Sequence, residues 1–148
     1  MLDLKLYKEK PAVLPQPSGQ VTLDFDQRSR SRLRCQLDDG RDVGLYIERG
    51  HVLQDGQLLV DGSGCLFRVK AAKEPVSAVY SEDVLLLSKL CYHLGNRHVS
   101  LEVGKGRIAY KPDYVLDDMV KGFGVIPAHE QAPFQPESGA YGHHHSHD

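Results

Sequence analysis

The first half of the chain consists of short stretches in which apolar and polar residues alternate. Two of them cover residues 2–6 and 21–25. Alternation with a period of two is typical of half-buried β-strands. Turn signals separate the stretches, the clearest being Asp38-Asp39-Gly40, which predicts a hairpin. The pattern therefore predicts an all-β domain over residues 1–73.

From Glu74 onwards the periodicity changes, because strand-like stretches now alternate with two stretches of helical spacing. The predicted order is β-α-β-β-α-β, which is the ferredoxin-like arrangement. Its elements are expected at residues 76–80, 81–94, 99–103, 107–111, 113–121 and 125–132. Asp113 is the expected N-cap of the second helix. The fold class is therefore α+β, with an all-β domain followed by a ferredoxin-like domain over residues 74–138.

The first of these helices is strongly apolar. Its stripe contains Val84, Leu87, Cys91 and Leu94, spaced three or four residues apart. Ser81 is the expected N-cap, and Gly95 is expected to end the helix in the left-handed region that glycine enters without steric cost. His98 would then open the next strand. It would lie at a corner with a rigid helix behind it.

Composition and charge exclude several classes of protein. The chain has 148 residues, 41% hydrophobic and 26% charged, with a formal net charge of −2. These values fit a globular protein of one ordinary or two small domains and argue against a dedicated nucleic-acid binder. No apolar run approaches the roughly 20 residues of a membrane span, so a cytoplasmic location is expected. The three cysteines match neither a disulfide framework nor a paired-cysteine zinc site.

Four arginines follow the second stretch at every other position. They are Arg28, Arg30, Arg32 and Arg34. Two interpretations are available, a patch for an acidic partner and the solvent face of a strand whose other side is core. The second is favoured, because the alternate positions from residue 33 onwards are apolar.

Histidine is concentrated at the C-terminus. Of the eight histidines, four lie in the last six residues, namely His143, His144, His145 and His147. A polar tail over residues 139–148 cannot bury a core and is expected to be disordered. It is either the remnant of a purification tag or a natural tail that collects divalent metal. The interruption by Ser146 favours the natural tail.

The motif Tyr92-His93-Leu94-Gly95-Asn96-Arg97-His98 is the most specific of six segments, and the others lie at residues 30–34, 38–45, 48–56, 71–74 and 114–119. Together these segments resemble the urease accessory protein UreE family of nickel metallochaperones. The resemblance runs from about residue 2 to 135 in consistent order. It implies a peptide-binding-like first domain and a metal-binding second domain.

The resemblance also implies a function. The expected protein is a homodimer, or a tetramer with metal, in which His98 of each chain meets its symmetry mate at one Ni²⁺ ion. The tail histidines would add ligands, His93 is an open candidate for a secondary ligand, and Zn²⁺ or Cu²⁺ could bind in vitro. The expected partners are apo-urease and the urease GTPase accessory protein, with no nucleic acid and no membrane. The implied protein is not an enzyme.

An alternative function remains open, a protein-interaction module of urease assembly with incidental binding of divalent metal. The resemblance is incomplete at one place. Some family members carry histidines on both sides of an aspartate at the position of Pro112-Asp113-Tyr114. An accessory metal site is therefore not expected there, and His129 is a weak candidate ligand.

Overall fold

The chain folds into two compact units. A computed structural model describes residues 1–138. The first unit is formed by Met1–Ala72, and the second begins at Lys73 and continues to the end of the described residues. Both are rich in strands, and the two-domain architecture of mixed α and β content expected from the sequence is confirmed. The predicted tail over residues 139–148 lies outside the described residues.

The first unit is built on one sheet of six strands. Its elements are β1 (Leu2–Leu6), β2 (Gly19–Leu23), α1 (Phe25–Arg28), β3 (Arg32–Gln36), β4 (Asp42–Tyr46), β5 (Leu58–Val60) and β6 (Leu66–Ala71). The strand order is β2-β6-β5-β1-β4-β3, with β1 parallel to β4 and β2 parallel to β6. Inward-facing apolar side chains such as Leu4, Leu45 and Phe67 are almost completely buried. The predicted β-rich domain is therefore consistent with the structure.

The arginine row is not a single strand face, which corrects the prediction for Arg28. Asp24 accepts a hydrogen bond from the backbone N–H of Gln27, whose side chain accepts one from the N–H of Asp24. This capping box starts a helical turn and interrupts the alternation. The guanidinium of Arg28 is fully buried and donates to the carbonyls of Leu23 and Leu53, at 3.3 and 3.2 Å. Only the arginines of β3 share an exposed strand face.

The second unit is a four-stranded sheet with two helices. Its elements are β7 (Lys73–Tyr80), α2 (Val84–Asn96), β8 (Glu102–Gly104), β9 (Arg107–Tyr110), α3 (Tyr114–Lys121) and β10 (Ala128–Pro133). The strand order is β10-β7-β9-β8, and all neighbouring strands are antiparallel. The order of elements along the chain is β-α-β-β-α-β. Strand β8 is shorter than expected, and a loop separates it from His98.

Both helices pack on the sheet through apolar side chains. Leu90 and Leu94 of α2 and Val120 of α3 are fully buried in one cluster with Val79 and Ile108 of the sheet. Asp113 caps α3 as predicted. Its carboxylate accepts from the N–H groups of the helix's first turn, at 2.8 and 3.2 Å. No helix in the part of the chain that the structure describes is long and apolar enough to cross a membrane.

Candidate metal centre

Helix α2 begins and ends later than the sequence suggested. Its N-cap is Asp83, whose carboxylate accepts from the N–H of Leu86, while the hydroxyl of Ser81 accepts from the N–H of Asp83. Gly95 lies inside the last helical turn and does not take a positive φ. The predictions of Ser81 as N-cap and Gly95 as the left-handed residue were therefore wrong. The N-cap is the carboxylate of Asp83, which lies two residues closer to the apolar stripe than Ser81 does.

The left-handed residue is instead His98, two positions after Asn96, the last residue of the helix. The N–H of Val99 donates to the carbonyl of Leu94 at 3.3 Å, and the N–H of His98 donates to the carbonyl of Gly95 at 3.0 Å. This pair of bonds is the Schellman motif, with Arg97 as the C-cap and His98 at the C′ position. The apolar contact that accompanies the motif is available, because Val99 and Leu94 belong to the same core cluster.

His98 has a φ of 57°, and it is the only non-glycine residue with a positive φ among residues 1–138. A Cβ in this region is crowded by the carbonyl oxygen, which costs about 1 kcal/mol. Histidine is one of the side chains that tolerate it better than most. Its imidazole is exposed and has no hydrogen bond or ion pair with any described residue. The corner thus presents a free imidazole on a backbone fixed by a packed helix.

His93 lies in the last turns of α2 and is also exposed. Its ring contacts those of Tyr92 and Phe123, with centroids 5.2 and 5.1 Å apart. The histidine therefore packs against aromatic neighbours on the helix surface. The other predicted ligands, His143, His144, His145 and His147, lie outside the described residues. Within the described residues, no group of three or more histidine, cysteine or acidic side chains could hold a metal ion.

A buried carboxylate that the sequence analysis missed lies elsewhere in this unit. Asp117 of α3 accepts from the hydroxyl of Tyr110 at 2.6 Å and contacts Nε2 of His129 at 2.7 Å. Burial opposes ionisation of Asp117, but the hydrogen bonds from Tyr110 and His129 outweigh it and lower the pKa of the carboxyl group. Burial and the neighbouring carboxylate raise the pKa of Tyr110. The signal in the sequence was an aspartate between the inward-facing Leu116 and Val120.

A second feature of this unit is an apolar hollow of about 680 Å³ beside α2 and the β8–β9 hairpin. Val84, Leu87, Cys91, Val103 and Ile108 contribute to its walls. Val84 at the start of α2 is 76% exposed, and the adjacent Leu85 is 63% exposed. An apolar surface of this kind is typical of a contact with another protein.

Comparison with known proteins supplies the family. The chain matches the model described as UreE urease accessory protein, N-terminal domain, over residues 5–72, and the corresponding C-terminal domain model over residues 74–148. Together these matches cover nearly all of the chain. The chain belongs to the UreE urease accessory protein family.

Individual family members are similar over most of their length. The chain is 50% identical to the urease accessory protein UreE of Alkalilimnicola ehrlichii over 139 residues, which are 94% of this chain and 85% of that protein. It is 55% identical to the protein of the same name from Pseudomonas putida strain GB-1, over 84% of this chain and 76% of the relative. For the Proteus mirabilis protein the identity is 47%, over 85% and 78%. The resemblance identified from the sequence is therefore confirmed.

Proposed function

We propose that the protein is a nickel metallochaperone that delivers Ni²⁺ to apo-urease during assembly of the urease active site. The observation that carries the proposal is the exposed imidazole of His98, on a left-handed corner at the end of a packed helix. Imidazole is a suitable ligand for Ni²⁺, Zn²⁺ and Cu²⁺. The family name and the match over both domains support the link to urease.

One histidine per chain becomes two ligands if the protein is a homodimer. Residues on a two-fold axis meet their own copies, so the two His98 side chains would share one ion. The apolar hollow beside α2 and the exposed Val84 and Leu85 support a contact between copies in this unit. A dimer is therefore expected without metal, and metal could join dimers into a tetramer.

The remaining coordination positions would be filled from the tail. His143, His144, His145 and His147 are on a short segment of the same chain, and a short tether gives local concentrations of roughly millimolar. A site with two fixed and several weak ligands can release its ion by ligand exchange, which suits delivery better than storage. The same donors would accept Zn²⁺ or Cu²⁺ in vitro. His93 would at most be a secondary ligand, since its ring packs on Phe123.

The proposal also names the partners in urease assembly and the cellular location. Ni²⁺ would pass to apo-urease together with the urease GTPase accessory protein, in the cytoplasm. The protein would act as a carrier and not as an enzyme. The ferredoxin-like class of the second domain is part of the proposal, and the strand order β10-β7-β9-β8 supports it. The alternative function, an interaction module with incidental metal binding, rests on the same apolar hollow.

Calorimetric titration with Ni²⁺ tests the proposal. The full chain and a chain ending at Gly142 should both bind about one ion per dimer at His98, and only the full chain should bind additional ions. His98→Ala in the full chain should lose the ordered ion and keep binding on the tail. If His98→Ala left both the stoichiometry and urease activation at limiting Ni²⁺ unchanged, the placement of the metal site at His98 would be wrong.

A further inference from the structure

One edge of the first sheet, which we call the β3 edge (Arg32–Gln36), has no neighbouring strand. Within the described residues, β3 pairs with β4 alone. The N–H of Ile47 donates to the carbonyl of Ser31 at 2.7 Å, and the N–H of Leu37 donates to the carbonyl of Arg41 at 2.9 Å. These bonds place the odd-numbered positions of β3 in the hydrogen-bonded pairs of the antiparallel ladder. The N–H and carbonyl groups of its even-numbered positions therefore point away from β4.

The outward backbone groups of Arg32, Arg34 and Gln36 have no hydrogen bond to any residue in the described part of the chain. The open stretch is bounded at one end. Two residues after β3, the N–H of Asp38 donates to the carbonyl of Gln20 on β2 at 2.8 Å. A row of unpaired N–H and carbonyl groups on an edge strand can accept one more strand from another chain.

The solvent face of the β3 edge is positively charged. Arg32 and Arg34 are exposed, and neither forms an ion pair with a described residue. The guanidinium of Arg32 lies over the ring of Tyr46 on β4, 5.7 Å from its centroid. On the opposite edge strand, β2, the neutral side chain of Gln20 donates to the carboxylate of Asp38 at 2.8 Å. Of the two edges, β3 is therefore the one that suits an acidic partner.

The inner face of the same strand leaves part of the core uncovered. Leu33 and Cys35 are half-buried and pack against the core of the first unit. Their neighbours across the ladder, Leu45 and Val43 of β4, are 1% and 0% exposed. Burial of the core therefore decreases at the β3 edge. Apolar side chains of an added strand would remove this remaining surface from water, which is favourable in proportion to its area.

We propose that the β3 edge is a docking site for an extended acidic segment of another protein, which adds to the first sheet as a further strand. Successive side chains of a strand point to opposite faces, so the pleat defines the chemistry of the segment. Carboxylates at alternate positions would face Arg32 and Arg34, and the apolar residues between them would cover Leu33 and Cys35. A second copy of this chain fits less well, because pairing two β3 edges would bring arginines together.

This inference concerns the first unit and does not rest on the proposed metal site. A synthetic peptide added to the full chain tests it. The probe is a peptide of roughly nine residues, a usual length for a strand, that alternates glutamate and valine and has blocked ends. The control peptide has the same composition, with its glutamates grouped at one end.

Hydrogen exchange followed by NMR reports where the peptide binds. At saturating alternating peptide, the amides of Arg32, Arg34 and Gln36 should exchange more slowly, because their N–H groups gain acceptors. The amides of Leu33 and Cys35 should be protected with or without peptide, since they belong to the ladder with β4. The grouped peptide should give little protection, because its carboxylates and apolar residues do not match the two faces of the edge.

Charge reversal separates the β3 edge from general electrostatic attraction. Arg32→Glu combined with Arg34→Glu should weaken binding of the alternating peptide by roughly tenfold or more, because two attractive pairs become repulsive. The matched control makes the same charge change at Arg68 and Lys70, which are exposed on β6 of the same sheet. Since β6 is paired on both sides, Arg68→Glu with Lys70→Glu should weaken binding by less than about twofold.

The outcomes distinguish the possible occupants of the edge. Continued protection of the Leu33 and Cys35 amides in the Arg32→Glu, Arg34→Glu variant shows that its β3–β4 ladder is intact. Equal losses of affinity in the two double variants would overturn the proposal, and so would unchanged exchange of the outward amides at saturating peptide. Protection that rose with protein concentration in the absence of peptide would assign the edge to a second copy and would also contradict it.

Discussion

The two helices of the second unit end in different ways, although both turn the chain sharply back towards the sheet. Helix α3 is followed by Gly124, whose φ is +89° and whose conformation costs a glycine nothing. Helix α2 is followed by His98 at a φ of 57°. A Cβ at Gly124 would meet no atom within 4 Å, so the surrounding space would accept a larger residue. Glycine is favoured at this position only because the backbone is left-handed.

Their histidines differ in the same way. His129, which lies next to α3, contacts the buried carboxylate of Asp117 at 2.7 Å. His98 has no side-chain partner among the described residues. At the end of α3, glycine takes the left-handed position, and the exposed ring of His129 is paired with Asp117. At the end of α2 a histidine takes that position, and its imidazole has no partner among the described residues, which supports the proposal that His98 binds metal.

The largest effect should follow from removing the imidazole while keeping the corner. Asparagine tolerates the left-handed region, so His98→Asn should fold like the parent and lose the ordered Ni²⁺ ion, with an affinity loss of roughly 100-fold. His129→Asn is the matched control and should keep the ion. Calorimetry with chains ending at Gly142 measures both. Equal losses of Ni²⁺ affinity in the two variants would mean that His98 is no more important for metal binding than His129.

The α3 end should respond most strongly to loss of its buried carboxylate. Asp117→Ala leaves the hydroxyl of Tyr110 without its acceptor, which should cost about 1–3 kcal/mol in the free energy of unfolding. Urea denaturation measures this. A double variant with Tyr110→Phe should recover part of the loss, because the unpaired hydroxyl is then gone. Nickel binding at His98 should not change.

The same carboxylate predicts a dependence on pH. The pKa of Asp117 is lowered in the folded state, so its contribution to stability is fully present above the ordinary aspartate value of about 3.9. It is lost as pH falls through the lower folded value. The parent chain should therefore lose stability more steeply than Asp117→Ala below about pH 4. Urea midpoints measured across this range would show parallel curves if Asp117 made no such contribution.

A smaller effect is expected from Gly124→Ala, which puts a Cβ in a left-handed conformation without any clash. It should destabilise the protein by about 1 kcal/mol or slightly more. Gly95→Ala is the control, because Gly95 is helical with open space around it and alanine should stabilise it by about 0.5–1 kcal/mol. Thermal unfolding of the two variants should shift in opposite directions. If both unfolding temperatures shifted in the same direction, the left-handed backbone at Gly124 would not explain the effect of Gly124→Ala.

The smallest effect should be a gain at the α2 end. His98→Gly relieves the strain of the left-handed residue but adds freedom to the unfolded chain, so a net stabilisation of at most about 1 kcal/mol is expected. The variant should bind Ni²⁺ as poorly as His98→Asn. If His98→Gly were less stable than the parent, the imidazole of His98 would contribute to the stability of the fold. The difference between His98 and Gly124 would then reflect side-chain packing and not metal binding.

The sequence predicted the order of elements well and their ends less well. The helical stripe of α2 and the cap at Asp113 were recognised, because periodicity and capping are local signals. Gly95 was misassigned, since glycine is also tolerated inside a helix and the Schellman bonds depend on where Leu94 and Val99 pack. Arg28 was predicted on a strand face with the other arginines. The capping box of Asp24 and Gln27 instead starts a short helix that contains Arg28, although the alternating pattern continues beyond it.

The site was predictable only in part. The motif around His98 was found from its resemblance to the family, but its left-handed backbone was not. The Asp117–Tyr110 contact joins α3 to β9 and could not be read from spacing, because hydrogen bonds between elements depend on the packed structure. The bond from the N–H of Gln135 to the carboxylate of Glu102 was missed for the same reason, since the two residues are 33 positions apart in the chain.

The parallel pairing of β2 with β6 has a consequence for synthesis of the protein. Gly19 pairs with Phe67 and Leu23 with Ala71, so the register joins positions 48 residues apart. Within the described residues β6 is the only strand that pairs with β2, although the N–H of Asp38 also donates to the carbonyl of Gln20. The strand pairing of β2 therefore cannot form until β6 has emerged from the ribosome, which takes seconds at about 5–20 residues per second. Non-local pairing of this kind also slows folding. The first domain should consequently complete its sheet while the second is already being translated.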